Sequence, residues 1–348
     1  MLTTPFMSRR WLSLAGLCLF LVSTYYTVPP QVQRIATTPR LPFGSAGRNH
    51  AAQIADFTTQ HLLQLAERPV PVEDFTMMGQ RMGIYARLAE VLIDDSTMDD
   101  KPLMDLLRKN FPWWQPSPPT YIPWRPRTRP SKKKAPGSTG IVICAGSSNI
   151  IYAMHLIRTL RHVLNSTLPI QVTYAGDNDL TFSDRVAVME MGPDIETLNL
   201  LDVLDESIGG LREGGWAVKP FAMLVSRFEK VIMMDADAIF LRSPDDVFET
   251  EPGLVETGTL FWHDRNFASG GYEERRGWVK DILGGSEPSA MLNQSLFWNG
   301  DSYNEMDSAV VIMDKGRPSV FMSLLFAAWM NTKFVRDTVT YQHVHGKW

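Results

Sequence analysis

The chain has 348 residues, a formal net charge of −4, 44% hydrophobic and 21% charged residues. That is an ordinary globular balance, long enough to bury a sizeable core, and it offers no overall basic field for nucleic acid. Two cysteines occur, Cys18 and Cys144, and the first sits in an apolar N-terminal run, so the fold is expected to stand without disulfides.

Residues 1–10 read as a short cytoplasmic tail that ends in Arg9 and Arg10. The next stretch, WLSLAGLCLFLVSTYYTV at 11–28, carries no charge, and none returns until Arg34. A helix of about 18 residues rises roughly 27 Å, close to the roughly 30 Å hydrocarbon core. The arginine pair before it favours a cytoplasmic N-terminus, and Tyr25 and Tyr26 would sit at the far interface. The expectation is a single-pass signal-anchor with the remaining chain in the lumen. A cleaved signal peptide competes, although TYYTVPP offers no A-x-A-like cleavage site. A mitochondrial presequence is a third reading, and the long uncharged run counts against it.

Residues 29–137 read as a stem. Its first part, 29–50, is a Pro- and Thr-rich linker. Helical spacing follows within 51–110, broken by Pro69 and Pro71. The segment 111–137 is proline-dense and carries six basic residues between Arg125 and Lys134, which reads as a solvated connector.

From residue 138 the pattern changes. GIVICAG (140–146) is a short β-branched run with a glycine exit, Ile150 to Leu164 is helical, and LPIQVTYAG (168–176) is a second strand. WAVKPFAMLVSRFE (216–229) is a helix that leads into KVIMMDADAIFL (230–241). Strand–helix–strand alternation predicts an α/β fold with a mostly parallel sheet flanked by helices over 138–348. The apolar VIMM run suits a strand buried on both faces, and Asp235 and Asp237 then fall at its carboxyl end, where open α/β sheets bind ligands. Carboxylates two apart on an extended strand face one side. They repel unless a hard divalent cation, Mg²⁺ or Mn²⁺, lies between them and a phosphorylated ligand. Two solvated turn aspartates are the plainer alternative. A dehalogenase-type phosphatase would follow its D-x-D with Gly-Thr; Ala238 and Ile239 stand there instead.

Together the blocks GIVICAG, YAMHLIRTLRHVLNSTLPIQVTYAGDNDL, WAVKPFAMLVSRFEKVIMMDADAIFLRSPDDVFE, GTLFWHDRNF and EMDSAVVIMDK resemble the fungal Golgi α-1,3-mannosyltransferases, in order over 140–348. The resemblance implies a GT-A-like nucleotide-sugar-binding domain, GDP-mannose as donor, Mn²⁺ or Mg²⁺, retaining transfer to a mannose-containing glycan, a Golgi membrane location and no nucleic-acid partner. It also leaves open a non-catalytic member that serves as partner subunit of a Golgi glycosylation complex.

By matching blocks, the resemblance implies that Asp237 ligates the metal and that Asp235 contacts metal or ribose. It implies that Lys219 meets donor phosphate, and that Asp307 and Ser308 face the transferred sugar or the acceptor. Ala309 replaces the family's usual glycine, a change that matters only if the backbone there needs a positive φ. Trp262, His263, Asp264 and Arg265 match a segment whose aromatic and acid could hold the acceptor sugar; packing of Trp262 into the core is the alternative. Related retaining transferases end on His-x-x-Gly-x-x-Lys-Pro-Trp. The chain's HVHGKW therefore makes His343 the candidate third metal ligand, with His345 next, and Lys347 the candidate diphosphate contact. The shortened Gly-to-Lys spacing raises the expectation of a truncated C-terminus. Asn165 and Asn293 open N-x-[ST] sequons, which a lumenal domain could glycosylate.

Overall fold

The structure is a computed structural model. It describes residues 60, 63–64, 66–67, 70–71, 74–95, 97–116, 120–125, 138–263, 273–283, 285, 287–302 and 305–341. The apolar run at 11–28, the linker at 29–50, the basic stretch 126–137 and the C-terminal 342–348 lie outside the described residues. Among those described, no helix is long and apolar enough to cross a membrane.

Six strands make one sheet: β1 Thr139–Cys144, β2 Ile170–Tyr174, β3 Ile195–Asn199, β4 Lys230–Asp235, β5 Thr259–Trp262 and β6 Asp307–Asp314. Their order is β3-β2-β1-β4-β6-β5. β1, β2, β3 and β4 pair in parallel, whereas β6 runs antiparallel to both β4 and β5. The sheet is thus mostly parallel, as expected, with one strand reversed. The single reversed strand has a consequence: the start of β6 lies at the same sheet end as the finish of β4.

Alternation along the central strands divides the core. Ile141, Ile143, Ile232 and Met234 join one apolar cluster, and Val142, Val231 and Met233 join the other. The first cluster is closed by α3 (Ile150–Arg158) between β1 and β2 and α4 (Phe182–Met189) between β2 and β3, the crossovers that parallel strands require.

The second face is covered by chain from well outside these units. α1 (Phe75–Asp94), α2 (Lys101–Asn110), α5 (Val218–Val225), α6 (Glu273–Leu283) and α7 (Pro318–Met330) surround it. α7 is the centre, buried continuously from Val320 to Met330. Thirteen residues are too short to span a bilayer, and an apolar helix of that length belongs in a core. α1 lies across it, with the Phe75 ring 5.2 Å from that of Trp329 and 5.6 Å from that of Trp278 on α6.

The segment read as a solvated connector behaves differently over its first half. Trp113, Trp114, Tyr121, Ile122 and Trp124 are all buried. Trp113 meets Phe221 of α5 edge-on at 5.2 Å, and Trp114 and Trp124 meet Phe321 of α7 at 5.8 and 5.4 Å. Each indole carries roughly 200 Å² of surface that gains by leaving water. Described residues between Phe75 and Trp124 therefore join the apolar cluster that lies on the sheet.

The C-terminus of α5 is closed by Lys315, from the turn after β6. Its ammonium, 0% exposed, donates to the carbonyls of Met223, Leu224 and Ser226 at 2.8, 3.3 and 2.9 Å and to the Ser226 hydroxyl at 2.9 Å. These are carbonyls a helix leaves unpaired at its end, where the dipole also favours a cation.

Candidate active site

β4 ends on Asp235, in register beside Cys144, the last residue of β1. β6 starts at the same sheet end on Asp307, in register with Trp262, the last residue of β5. α5, immediately before β4, sets Lys219 in its first turn over this end.

Lys219 is 1% exposed and lies at the centre of the cluster. Its Nζ is 2.6 Å from Asp235 Oδ1 and donates to the Ser308 carbonyl at 3.1 Å and the Ser308 hydroxyl at 3.3 Å. The indole of Trp216 lies 4.7 Å from the same ammonium, a cation–π contact. Four groups from three elements thus meet on one buried cation. Asp307 is half-buried, and its Oδ1 accepts the backbone N–H of Ala309 at 2.8 Å.

Burial pushes the Asp235 carboxyl above the ordinary carboxylate range, the Lys219 ammonium pulls it back, and the charges of Asp237 and Asp307 push it up again. Both other carboxylates are therefore near enough to act on Asp235. The partly buried Cys144 thiol is pushed up to about 11, by desolvation first, against the Thr173 hydroxyl and the Lys219 charge. It is a packing thiol rather than a nucleophile.

The two aspartates of D-x-D do not share an extended strand. β4 stops at Asp235, and a turn follows in which the Ala238 N–H donates to the Asp235 carbonyl at 3.0 Å. Asp235 is 5% exposed, whereas Asp237 is exposed to solvent. Ile239 and Leu241, which the sequence places in the same apolar run, are exposed too. Among the described residues no group of three or more His, Cys, Asp or Glu side chains forms a metal cluster. Asp264, Arg265, His343, His345 and Lys347 lie outside the described residues.

Residues 138–346 match the family model Mannosyl_trans3, described as "Mannosyltransferase putative". The chain belongs to this mannosyltransferase family. It is 30% identical over 128 residues to the alpha-1,2-mannosyltransferase MNN2 of Saccharomyces cerevisiae, covering 36% of this chain and 21% of that protein. It is 26% identical over 215 residues to the alpha-1,3-mannosyltransferase MNN1 of the same yeast, covering 57% of this chain and 27% of that protein. The chain thus spans about a fifth to a quarter of the length of the curated relatives it matches. The X-ray structure of the mannosyltransferase Ktr4p from S. cerevisiae aligns over 79% of each chain at 10% identity with a TM-score of 0.35, a likeness too slight to carry an argument.

The family-matched region holds every described member of the cluster. Of the residues predicted from sequence, the fold brings together Asp235, Lys219, Asp307 and Ser308, with Asp237 beside them and Trp262 one strand further out. Ala309 sits within β6, and Asn165 and Asp194 are the only non-glycine residues with positive φ among those described. The backbone at 309 therefore does not need the family's glycine.

Trp216 is the residue that sequence reasoning missed. It is 40% exposed and three positions before Lys219. Helical i,i+3 spacing was the available signal. Of the two sequon asparagines, Asn165 and Asn293 are both exposed.

Proposed function

We propose that the charged end of the sheet is the active site of a GT-A-type transferase. It moves a mannosyl group from GDP-mannose to a mannose-containing glycan, with retention and an α-1,3 linkage, in the Golgi lumen behind the 11–28 anchor. The observation that supports this is the meeting of Asp235, Asp307, Ser308 and Lys219, all inside the mannosyltransferase-family region, at the carboxyl end of the parallel strands.

The residues fit a divalent cation. Asp237 is an exposed hard-oxygen donor at the strand end, and Asp235 engages Lys219 through Oδ1, which leaves its second oxygen. Mg²⁺-like ions take one or two carboxylates and complete their shell with substrate phosphate and water. When bound, Mn²⁺ or Mg²⁺ supplies Lewis-acid neutralisation of the leaving diphosphate. His343 and Lys347 keep their proposed parts as third ligand and diphosphate contact.

The chain's own groups orient the rest. Asp235 and Ser308 hold the Lys219 ammonium as a fixed positive charge beside the donor, where a preorganised charge is most effective. Asp307 faces the transferred sugar. Trp262, exposed at the outer strand, offers an apolar face to the acceptor sugar.

Calorimetry with GDP-mannose on the purified chain, with and without Mn²⁺, tests this reading. Binding is expected only with Mn²⁺ and is expected to vanish in Asp237→Ala. An exposed aspartate changes stability by less than about 0.5 kcal/mol, so that variant stays folded. No binding in either condition, across a panel of sugar nucleotides, would move the protein to the non-catalytic partner-subunit reading.

A further inference from the structure

Beside the cluster, the ends of the two outer strands bring together His263 and Glu305. His263 directly follows β5, next to Trp262. Its Nδ1 stands 3.2 Å from the backbone carbonyl oxygen of Glu305 and 3.6 Å from Glu305 Oε1. Glu305 is buried, and its Oε2 accepts the N–H of Phe297 at 2.8 Å, so the carboxylate cannot swing away without orphaning that donor.

Two oxygens, neither able to donate, face one ring nitrogen. In the neutral imidazole this places the proton on Nδ1 and leaves Nε2 as an acceptor. The His263 side chain is 62% exposed, so an acceptor of settled tautomer is open to a ligand. A register shift between Leu260 and Trp262 interrupts the pleat just before it, a device that re-aims side chains at strand ends. β5 is two strands out from β4 in the sheet order. At strand spacings of about 4.8 Å that is roughly 10 Å from the Asp235 end, which leaves room for a donor sugar between.

A hexopyranose presents hydroxyl donors around an apolar ring, and sites for it combine an aromatic face with a few directional polar groups. We propose that His263 Nε2 accepts a hydrogen bond from a hydroxyl of the acceptor hexopyranose, and that the Glu305 backbone carbonyl sets its tautomer. This rests on the transferase reading above and adds to it the acceptor side of the site.

The test uses the whole chain with Mn²⁺, GDP-mannose and methyl α-mannopyranoside, and follows two rates: GDP release without acceptor, and transfer to the mannoside. His263→Ala is expected to raise the mannoside KM about tenfold, the weight of one hydrogen bond, and to leave GDP release unchanged. In Glu305→Gln the amide oxygen can keep the Phe297 N–H while its NH₂ faces Nδ1. The mannoside KM is expected to stay near the wild-type value there, with an unchanged urea midpoint, because the backbone carbonyl of residue 305 still holds the Nδ1 proton.

¹⁵N NMR of the ring nitrogens, assigned by difference with His263→Ala, is expected to show the Nδ1–H tautomer in the wild type and to keep it in Glu305→Gln, where the backbone carbonyl of residue 305 still accepts that proton. An unchanged mannoside KM in His263→Ala, an equal loss of both rates, or an Nε2–H tautomer in the wild type overturns the assignment alone. A wild-type chain that neither binds GDP-mannose nor releases GDP overturns the transferase reading and this inference with it.

Discussion

At its amino end α5 buries Lys219 against a carboxylate, and at its carboxyl end it is closed by Lys315, buried against carbonyls. Both ammonium groups are almost wholly removed from water, which is tolerable only when every proton finds an acceptor. The acceptors differ in kind. Backbone carbonyls have fixed partial charge and do not titrate, so the Lys315 end is architecture. Asp235 carries a full charge that can be lost, and Asp237 and Asp307 bear on it. One short helix thus ties a titratable, ligand-facing cluster to a permanent clamp.

Breaking the amino end gives the largest expected effect. Lys219→Met leaves Asp235 buried without its cation, a change that costs about 3–5 kcal/mol in comparable pairs. Asp235→Asn in the same chain is expected to recover most of that loss. The deficit is also pH-dependent. Without Lys219, burial and the two neighbouring carboxylates raise the Asp235 carboxyl further above its ordinary 3.8. A group raised in the folded state contributes stability below its unfolded pKa and loses it as pH rises through the folded value. The Lys219→Met deficit is therefore expected to be small near pH 4 and to grow toward neutrality in urea titrations at a series of pH values. A deficit that stayed constant with pH would contradict the pairing.

Lys315→Met at the other end comes next. It removes the ammonium from three carbonyls, of which Met223 keeps the Ser226 hydroxyl and Ser226 keeps the Tyr121 N–H as donors, so the cost falls mainly on Leu224, at about 1–3 kcal/mol for a buried carbonyl left unsatisfied. A loss of about 2 kcal/mol is expected, with no trend between pH 4 and 8, because carbonyls and a serine hydroxyl do not titrate in that range. The contrast between the two pH profiles is what sharpens the comparison; parallel profiles would abolish it.

The smallest effect concerns Cys144, beside Asp235 in the sheet. With its thiol pushed up to about 11, only about one part in a thousand is thiolate at pH 8. Iodoacetamide at pH 8 is expected to spare Cys144 in the folded chain and modify it in urea, read by peptide mass mapping, which separates it from Cys18. The raised thiol contributes stability below its ordinary 9.0 that is lost as pH climbs through about 11.

How much of this was legible in the residues varies with the element. β1, β2 and β4 announce themselves, because strands buried on both faces need continuous apolar runs. α3 and α5 lie within the helices that periodicity predicts. The relationship to fungal mannosyltransferases was legible too, since it lies in the order of several blocks, and the family match over 138–346 agrees. β3 escaped notice because IETLN is mostly half-buried and mixed in character. The tryptophans of 111–125 were masked by prolines, which mark extended chain without saying what that chain packs against. The D-x-D spacing promised two carboxylates side by side on a strand, but a turn at Ala236–Ala238 separates a buried, paired Asp235 from an exposed Asp237.

The sequence by itself determined the apolar strands, the carboxylates at the end of one of them, and the family, because these depend on residues that are neighbours in the chain. Only the tertiary structure decided that β6 runs backwards and so delivers Asp307 and Ser308 to the end where β4 leaves Asp235. It also decided that Lys219 reaches across 89 residues of chain to Ser308, and that Glu305 faces His263 from 42 residues away. Such pairings follow from strand order and direction, which are set by how two faces of one sheet find enough apolar cover. No local spacing encodes that sum.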